Sequence, residues 1–306
     1  MIWQNVITEW NQIIQQGRRH LRNLNQRTDG WLAIFIGSIR EVLSYEASLI
    51  GAAFAYFTLL SVFPLILLTL AIASFFVDPT QLGSGILDRL EFVIPGFEQL
   101  LGANLDRILT SRGAITRLSA ITLIWSASSL FYVITRALDS VWVGERVRVR
   151  SVYYYRALAI VLTLLLAVLL WAASIAWSFA VPIADRLMIG QLVVLTPLFS
   201  FVGAALMNIF VFTMLYLALP HVSLTWRDVI IGAVIAGLFW ELAKRAFLIF
   251  VTNYLTLSNL IYGSVTAIIA LLAWAYLSGL IFLFGAHLNV RYKRKRQEAA
   301  TKAAQM

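Results

Sequence analysis

Residues 50–77 read IGAAFAYFTLLSVFPLILLTLAIASFFV and contain no charged side chain. An α-helix rises about 1.5 Å per residue, so roughly 20 residues cross the hydrocarbon core of a bilayer. Lipid offers no hydrogen-bond partner to backbone amides, so such a stretch must be helical. Five further apolar stretches of about this length lie at 118–138, 156–183, 192–219, 229–251 and 263–290. The sequence therefore predicts an all-α fold, a polytopic membrane helix bundle with six transmembrane helices.

The composition supports a membrane protein. The 306 residues are 60% hydrophobic and 13% charged, with a mean hydropathy of +0.82. An ordinary soluble domain has about 45–50% apolar and about 25% charged residues. Too few polar side chains exist to cover a soluble globule, which excludes a water-soluble enzyme and a disordered chain. The absence of cysteine excludes a secreted disulfide scaffold.

The chain is interpreted as one integral membrane domain, 1–306. It comprises a cytoplasmic or interfacial segment 1–49, the bundle 50–290 and a basic cytoplasmic tail 291–306. Apolar residues recur at helical spacing over 31–49, which predicts a helix that either lies on the inner leaflet or packs against the bundle.

Two other segments complete this organisation. The polar first thirty residues lack the order of a signal peptide, so the first span is expected to stay in the mature protein. The long outer loop 78–117 repeats apolar residues every three or four positions, and Pro95-Gly96 is expected to divide it into two short amphipathic helices.

Basic residues predict the orientation. If the N-terminus is cytoplasmic, 16 of the 24 Lys and Arg residues fall in inner segments and 5 in outer segments. Cytoplasmic segments of membrane proteins carry the excess of basic residues. Both termini are therefore expected in the cytoplasm, and the protein is expected in a bacterial inner membrane.

The fifth stretch carries charges at membrane depth. Glu241 lies near its middle, and Lys244 and Arg245 follow at i+3 and i+4 on the same helix face. An ionisable group at this depth is costly unless it is paired or hydrated, so these three are candidates for a substrate pathway. A structural ion pair between helices is the alternative.

The second stretch carries a polar stripe at helical spacing. Its candidates for a substrate pathway are Ser129, Tyr132, Arg136 and Asp139. Such a stripe is expected to face the bundle or a wet cavity. Snorkelling of Arg136 and Asp139 to the interface is the alternative.

Two further positions lie within apolar stretches. Pro64 removes a backbone hydrogen bond and is a hinge candidate, with Ser61 expected to satisfy part of the deficit. Asn208 lies at mid-depth of the fourth stretch and is a pathway candidate, with interhelical hydrogen bonding as its alternative role.

Enzyme signatures are missing from the sequence. The histidines, His20, His221 and His287, are scattered, and no nucleophile elbow or P-loop occurs. We therefore expect no enzyme activity, with no catalytic residue, metal or cofactor. The formal charge of +9 would suggest nucleic acid in a soluble protein, but here the basic run 291–296 is expected to contact anionic lipid, and no nucleic acid is expected.

The sequence resembles the YihY/BrkB family of bacterial inner-membrane proteins over about 31–291. The resemblance is carried by AAFAYFTLLSVFP at 52–64, WSAS at 125–128, LP at 219–220, WRD at 226–228, Gly232, WELAK at 240–244, IYGS at 261–264 and GAHLN at 285–289. It implies six helices. Some members are labelled ribonuclease BN and others virulence-associated or transporters, and the family offers no agreed catalytic residues.

These observations favour a transporter or flippase-like permease for an amphiphilic or lipid-linked molecule, without an ATPase of its own. The expected partners are membrane lipid and the amphiphilic substrate, and the oligomeric state is left open. The alternative is a non-transporting scaffold or envelope-integrity protein. A membrane-tethered ribonuclease is the remote alternative, because it needs acidic residues that converge at one wet site.

The charge asymmetry gives a testable topology. Reporter fusions after residue 306 and near residue 100 should report opposite sides of the membrane, because the basic segments stay in the cytoplasm. Activity of both reporters on the same side would contradict the six-span arrangement.

Overall fold

The computed structural model describes residues 30–73, 112–143, 153–154, 157, 160–161, 196–251 and 264–305. Regular structure in this part of the chain is entirely helical, which confirms the predicted fold class. Six helices follow in chain order: α1 (Trp31–Val42), α2 (Tyr45–Ala73), α3 (Arg112–Val143), α4 (Thr196–Ala218), α5 (Trp226–Phe250) and α6 (Ser264–Ala304).

Four of these six described helices are long and apolar enough to cross a membrane. These stretches are Tyr45–Leu65 in α2, Arg117–Val143 in α3, Phe201–Ala218 in α4 and Ile268–Ala304 in α6. Helix α5 has the length of a span, with 25 residues, but carries the charges predicted within the fifth stretch.

Two predicted regions fall outside the described residues. The third stretch, 156–183, is described only at 157, 160 and 161, which are helical. The predicted helices of the outer loop lie in 74–111, outside the described part of the chain.

Three helix boundaries differ from the sequence prediction. The segment 31–49 is not one helix, because α1 ends at Val42 and the Ser44 hydroxyl accepts the Ala47 N–H at 3.2 Å as α2 begins. Helix α3 begins inside the predicted outer loop. Helix α6 does not end at residue 290 but continues to Ala304, and its total length is 41 residues. The basic segment after residue 290 continues the helix because it is rich in good helix formers and contains no Gly or Pro.

Helix α6 is the central element of the described bundle. It packs against α1, α2, α3 and α5, while α4 packs on α5 and α2 packs on α3. Helix α1 contacts α6 through Trp31, which stacks on Tyr292 with ring centroids 5.4 Å apart, and leaves Ile36 and Ile39 exposed. This arrangement combines a packed helix with the apolar outer face that an interfacial helix requires.

Helices α5 and α6 approach each other most closely at two glycines. A Cβ atom at Gly232 would overlap the carbonyl oxygen of Gly285 and the side-chain amide of Asn289. The Gly232 N–H donates to Asn289 Oδ1 at 2.7 Å. On the other side of Gly285, the buried Tyr216 hydroxyl of α4 donates to the Phe282 carbonyl at 2.6 Å. The two glycines thus allow α4, α5 and α6 to come together at one buried point.

This close approach predicts a large cost for one added methyl group. Gly232→Ala should destabilise the protein by about 1–3 kcal/mol, because backbone rather than a mobile side chain occupies the space. The matched control is Gly113→Ala in α3, where a Cβ meets nothing within 4 Å and stability should change by less than about 1 kcal/mol. Thermal unfolding in detergent, followed by tryptophan fluorescence, measures both. Equal midpoints for the two variants would contradict the close contact.

Candidate functional site

A buried carboxylate with several donors lies in the second half of α5. Glu241 is 2% exposed, and its Oε2 accepts hydrogen bonds from Lys244 Nζ at 2.6 Å and from Asn208 Nδ2 of α4 at 3.2 Å. Its Oε1 faces Arg245 Nε at 3.4 Å. We call these four residues the Glu241 cluster. The structure therefore brings together four of the pathway candidates, three from α5 and one from α4.

Glu241 and Asn208 lie well inside their helices. Glu241 is about 22 Å from the beginning of α5 and about 13 Å from its end. Asn208 lies within the apolar stretch Phe201–Ala218 of α4. The Glu241 cluster therefore joins α4 to α5 away from the ends of both helices.

The two cations of the Glu241 cluster are only partly covered. The side chains of Lys244 and Arg245 are 40% and 47% exposed, whereas the carboxylate between them is buried. The Arg245 guanidinium also lies over the Phe201 ring, 4.6 Å from its centroid. One negative and two positive charges give the cluster a net positive, accessible side that can bind an anionic group.

The polar stripe of α3 does not meet the Glu241 cluster. Ser129 Oγ donates to the Trp125 carbonyl at 2.9 Å, within its own helix, and Ser129, Tyr132 and Arg136 are partly buried. The hydrogen bonds that Glu241 accepts from described residues come from α4 and α5. The structure thus separates the α3 candidates from the α5 candidates.

Asp139, the last α3 candidate, has a partner that the sequence did not indicate. It is 1% exposed, its Oδ1 accepts the backbone N–H of His221 at 2.9 Å, and its Oδ2 contacts His221 Nδ1. Sequence reasoning regarded His221 as scattered, since no spacing connects it with α3. The pair joins the end of α3 to the segment between α4 and α5, so Asp139 is held by a contact and not by snorkelling.

Pro64, the hinge candidate, lies buried within α2, which continues to Ala73. Ser61 Oγ donates to the Thr58 carbonyl at 2.8 Å. The carbonyl released by Pro64 is that of Leu60, so the expectation that Ser61 compensates for the proline is wrong. A hinge at Pro64 stays a prediction.

Charged residues also fix the first turn of α5. Asp228 Oδ2 accepts from the Thr225 N–H at 3.2 Å and from Lys293 Nζ of α6 at 3.1 Å. Burial raises the pKa of Asp228, but the hydrogen bonds from Thr225 and Lys293 outweigh it and lower the pKa below its ordinary value. The carboxylate therefore stays ionised and ties α5 to α6.

A polar cavity of about 260 Å³ opens where the α1–α2 junction meets α3 and α6. We call it the cytoplasmic cavity, after the predicted side of the membrane. Its polar lining consists of Glu41, Ser44, Glu46, Ser140, His287, Arg291 and Arg294. Sequence reasoning missed it, because its residues come from three separate parts of the chain. The one available signal was a pair of carboxylates, Glu41 and Glu46, within the predicted interfacial helix 31–49.

The fold and these sites define a polytopic helical membrane protein with charged groups inside its bundle. A family model described as virulence factor BrkB matches residues 38–306. The chain therefore belongs to the BrkB family, as its motifs suggested.

Relatives with similar sequences carry different names. The ribonuclease-like protein YfkH of Bacillus subtilis is 30% identical over 269 residues, which cover 82% of this chain and 92% of the relative. UPF0761 membrane proteins of Aliivibrio salmonicida and Vibrio vulnificus are 27% and 29% identical, covering 82% and 87% of this chain and 80% and 84% of the relatives. No solved structure matches the chain.

The ribonuclease-like name makes metal-binding groups relevant. Two-metal phosphodiester cleavage needs clustered carboxylates. Across 30–73, 112–143, 196–251 and 264–305, no group of three His, Asp or Glu side chains is placed to hold a metal.

The Asp139–His221 contact predicts unequal effects of its two truncations. His221→Ala should destabilise the protein by about 3 kcal/mol, because it removes a partner of a carboxylate that is 1% exposed and stays buried. Asp139→Ala should cost roughly 1–2 kcal/mol, because it removes the buried charge itself and takes the acceptor from the His221 backbone N–H. Thermal unfolding of the two variants in detergent tests this order, and a larger loss in Asp139→Ala would contradict it.

Proposed function

We propose that the protein is a permease that moves an amphiphilic molecule across a bacterial inner membrane, with both termini in the cytoplasm. The carrying observation is the Glu241 cluster, in which one buried carboxylate holds two cations that remain 40% and 47% exposed. The membership of the chain in a membrane-protein family supports the location, and the 16 to 5 distribution of basic residues supports the orientation.

The cost of charge in lipid supports a pathway at this position. A structural pair needs only one cation for one carboxylate, yet here two cations share it and protein covers each of them only in part. A half-exposed cation at membrane depth requires water, a lipid phosphate or a bound anion. An amphiphile supplies such a group while its apolar part stays in the bilayer.

The polar group of the substrate is therefore assigned to the open side of Lys244 and Arg245. The carboxylate of Glu241 offsets one of the two positive charges of Lys244 and Arg245 and so lowers the cost of placing them in the bilayer. Asn208 of α4 donates a hydrogen bond that holds this carboxylate in place. The sequence carries no ATP-binding motif, so we assign the protein no ATPase of its own and no catalytic role.

A scaffold is the second candidate, and the packing of α3 favours it. Ser126, Ser128, Ser129 and Thr135 all donate to carbonyls of their own helix. A polar stripe satisfied in this way needs neither water nor substrate. In the scaffold the Glu241 cluster only joins α4 to α5.

Transport and stability measured on the same variants separate the two candidates. Glu241→Gln and Arg245→Gln should each slow the flux of an NBD-labelled phospholipid in proteoliposomes at least about tenfold, while the thermal midpoint falls by only a few degrees. Lys302→Gln, on the exposed end of α6, is the control and should keep wild-type flux.

Two outcomes would contradict the permease. Full flux in both cluster variants would remove the cluster from any pathway. Flux that falls only in proportion to the loss of folded protein in Glu241→Gln would favour the scaffold, because the cluster would then only join α4 to α5.

A further inference from the structure

The cytoplasmic cavity carries two opposite charges that the described helices leave unpaired. Glu41 and Arg291 neutralise each other on one side of it, at 3.0 Å. Glu46 and Arg294 also line the cavity, and neither belongs to any ion pair between described residues. A cavity with one free carboxylate and one free guanidinium is complementary to a ligand that carries both a cation and an anion.

We propose that the cytoplasmic cavity binds the head group of a phospholipid with a primary ammonium, with its phosphate on Arg294 and its ammonium on Glu46. A guanidinium matches the geometry of a phosphate, and a carboxylate accepts hydrogen bonds from an ammonium. The hydroxyls of Ser44 and Ser140 also line the cavity and can donate to the phosphate oxygens.

The size of the cavity fits a head group and not a whole lipid. Its volume of about 260 Å³ lies just below the roughly 300–1,000 Å³ of pockets that hold complete drug-sized ligands. The acyl chains must therefore lie outside it.

Apolar surface for those chains is present at the α1–α2 junction. Leu43, Tyr45 and Leu49 are 75%, 78% and 53% exposed, and they lie next to the lining residues Ser44, Glu46 and Ile50 in the sequence. This exposed apolar surface favours a lipid over a free phosphate compound. The proposal goes beyond transport, because a head group can bind here whether or not the protein moves it.

Binding to the purified protein in detergent tests the chemistry directly. Isothermal titration with short-chain dihexanoyl lipids should give a phosphatidylethanolamine affinity roughly tenfold above that of phosphatidylcholine and phosphatidylglycerol. Phosphatidylcholine has no N–H to donate to Glu46, and phosphatidylglycerol has no cation. Free O-phosphoethanolamine should bind more weakly than the lipid, and equal binding would overturn the assignment to a lipid.

Variants assign the two ends of the head group. Glu46→Gln should remove the preference for phosphatidylethanolamine over phosphatidylcholine, whereas Arg294→Gln should weaken all three lipids about tenfold, because all carry a phosphate. Glu298→Gln, exposed on the same helix and outside the cavity, is the control. Both lining residues are exposed, so the variants should fold. An unchanged preference in Glu46→Gln, or unchanged affinities in Arg294→Gln, would overturn the proposal. Glu241→Gln should bind the lipids normally even if transport is lost.

Discussion

The contact between Gly232 and Gly285 sets the register of the described bundle. No other residue type fits there, because a Cβ at Gly232 would overlap the Gly285 carbonyl and the Asn289 side chain, and a Cβ at Gly285 would overlap the Tyr216 hydroxyl. With that crossing fixed, Asp228 lies one turn before Gly232 and reaches Lys293. Glu241 lies about 14 Å beyond Gly232 along α5, where its carboxylate contacts Asn208 of α4. The positions of the polar groups thus follow from a packing constraint between two apolar faces.

Among the described residues, three buried carboxylates have different surroundings. Asp139 and Asp228 accept backbone hydrogen bonds near helix ends and join neighbouring segments. Glu241 accepts only side-chain donors, and two of these are cations that protein leaves partly uncovered. Asp228 also has two partly exposed cations, Lys293 and Arg296, so such cations alone do not mark a site. What distinguishes Glu241 is its position well inside α5, whereas Asp139 and Asp228 lie near helix ends.

The parts of this fold that local chemistry determines could be predicted from the sequence. Apolar length predicted α2, α3, α4 and α6, and the i+3 and i+4 spacing predicted the contacts of Glu241 with Lys244 and Arg245. Contacts between helices depend on packing register, which no local pattern encodes. The pairing of Asn208 with Glu241 and of Asp139 with His221 could therefore not be derived, and the α1–α2 break was missed because apolar periodicity continues through it.

The unbroken length of α6 has a mechanical consequence. Its 41 residues make a rod of about 60 Å, twice the thickness of the hydrocarbon core, and the rod contacts all five other helices in the described part of the chain. Rigid rotation of such a rod by about 10° displaces its far end by about 10 Å. The basic end of α6 and the part of α6 in the core of the bundle therefore move together, as parts of one rigid helix. A partner or charged surface that holds this end restrains the tilt of the central helix, and with it the spacing of the helices packed around it.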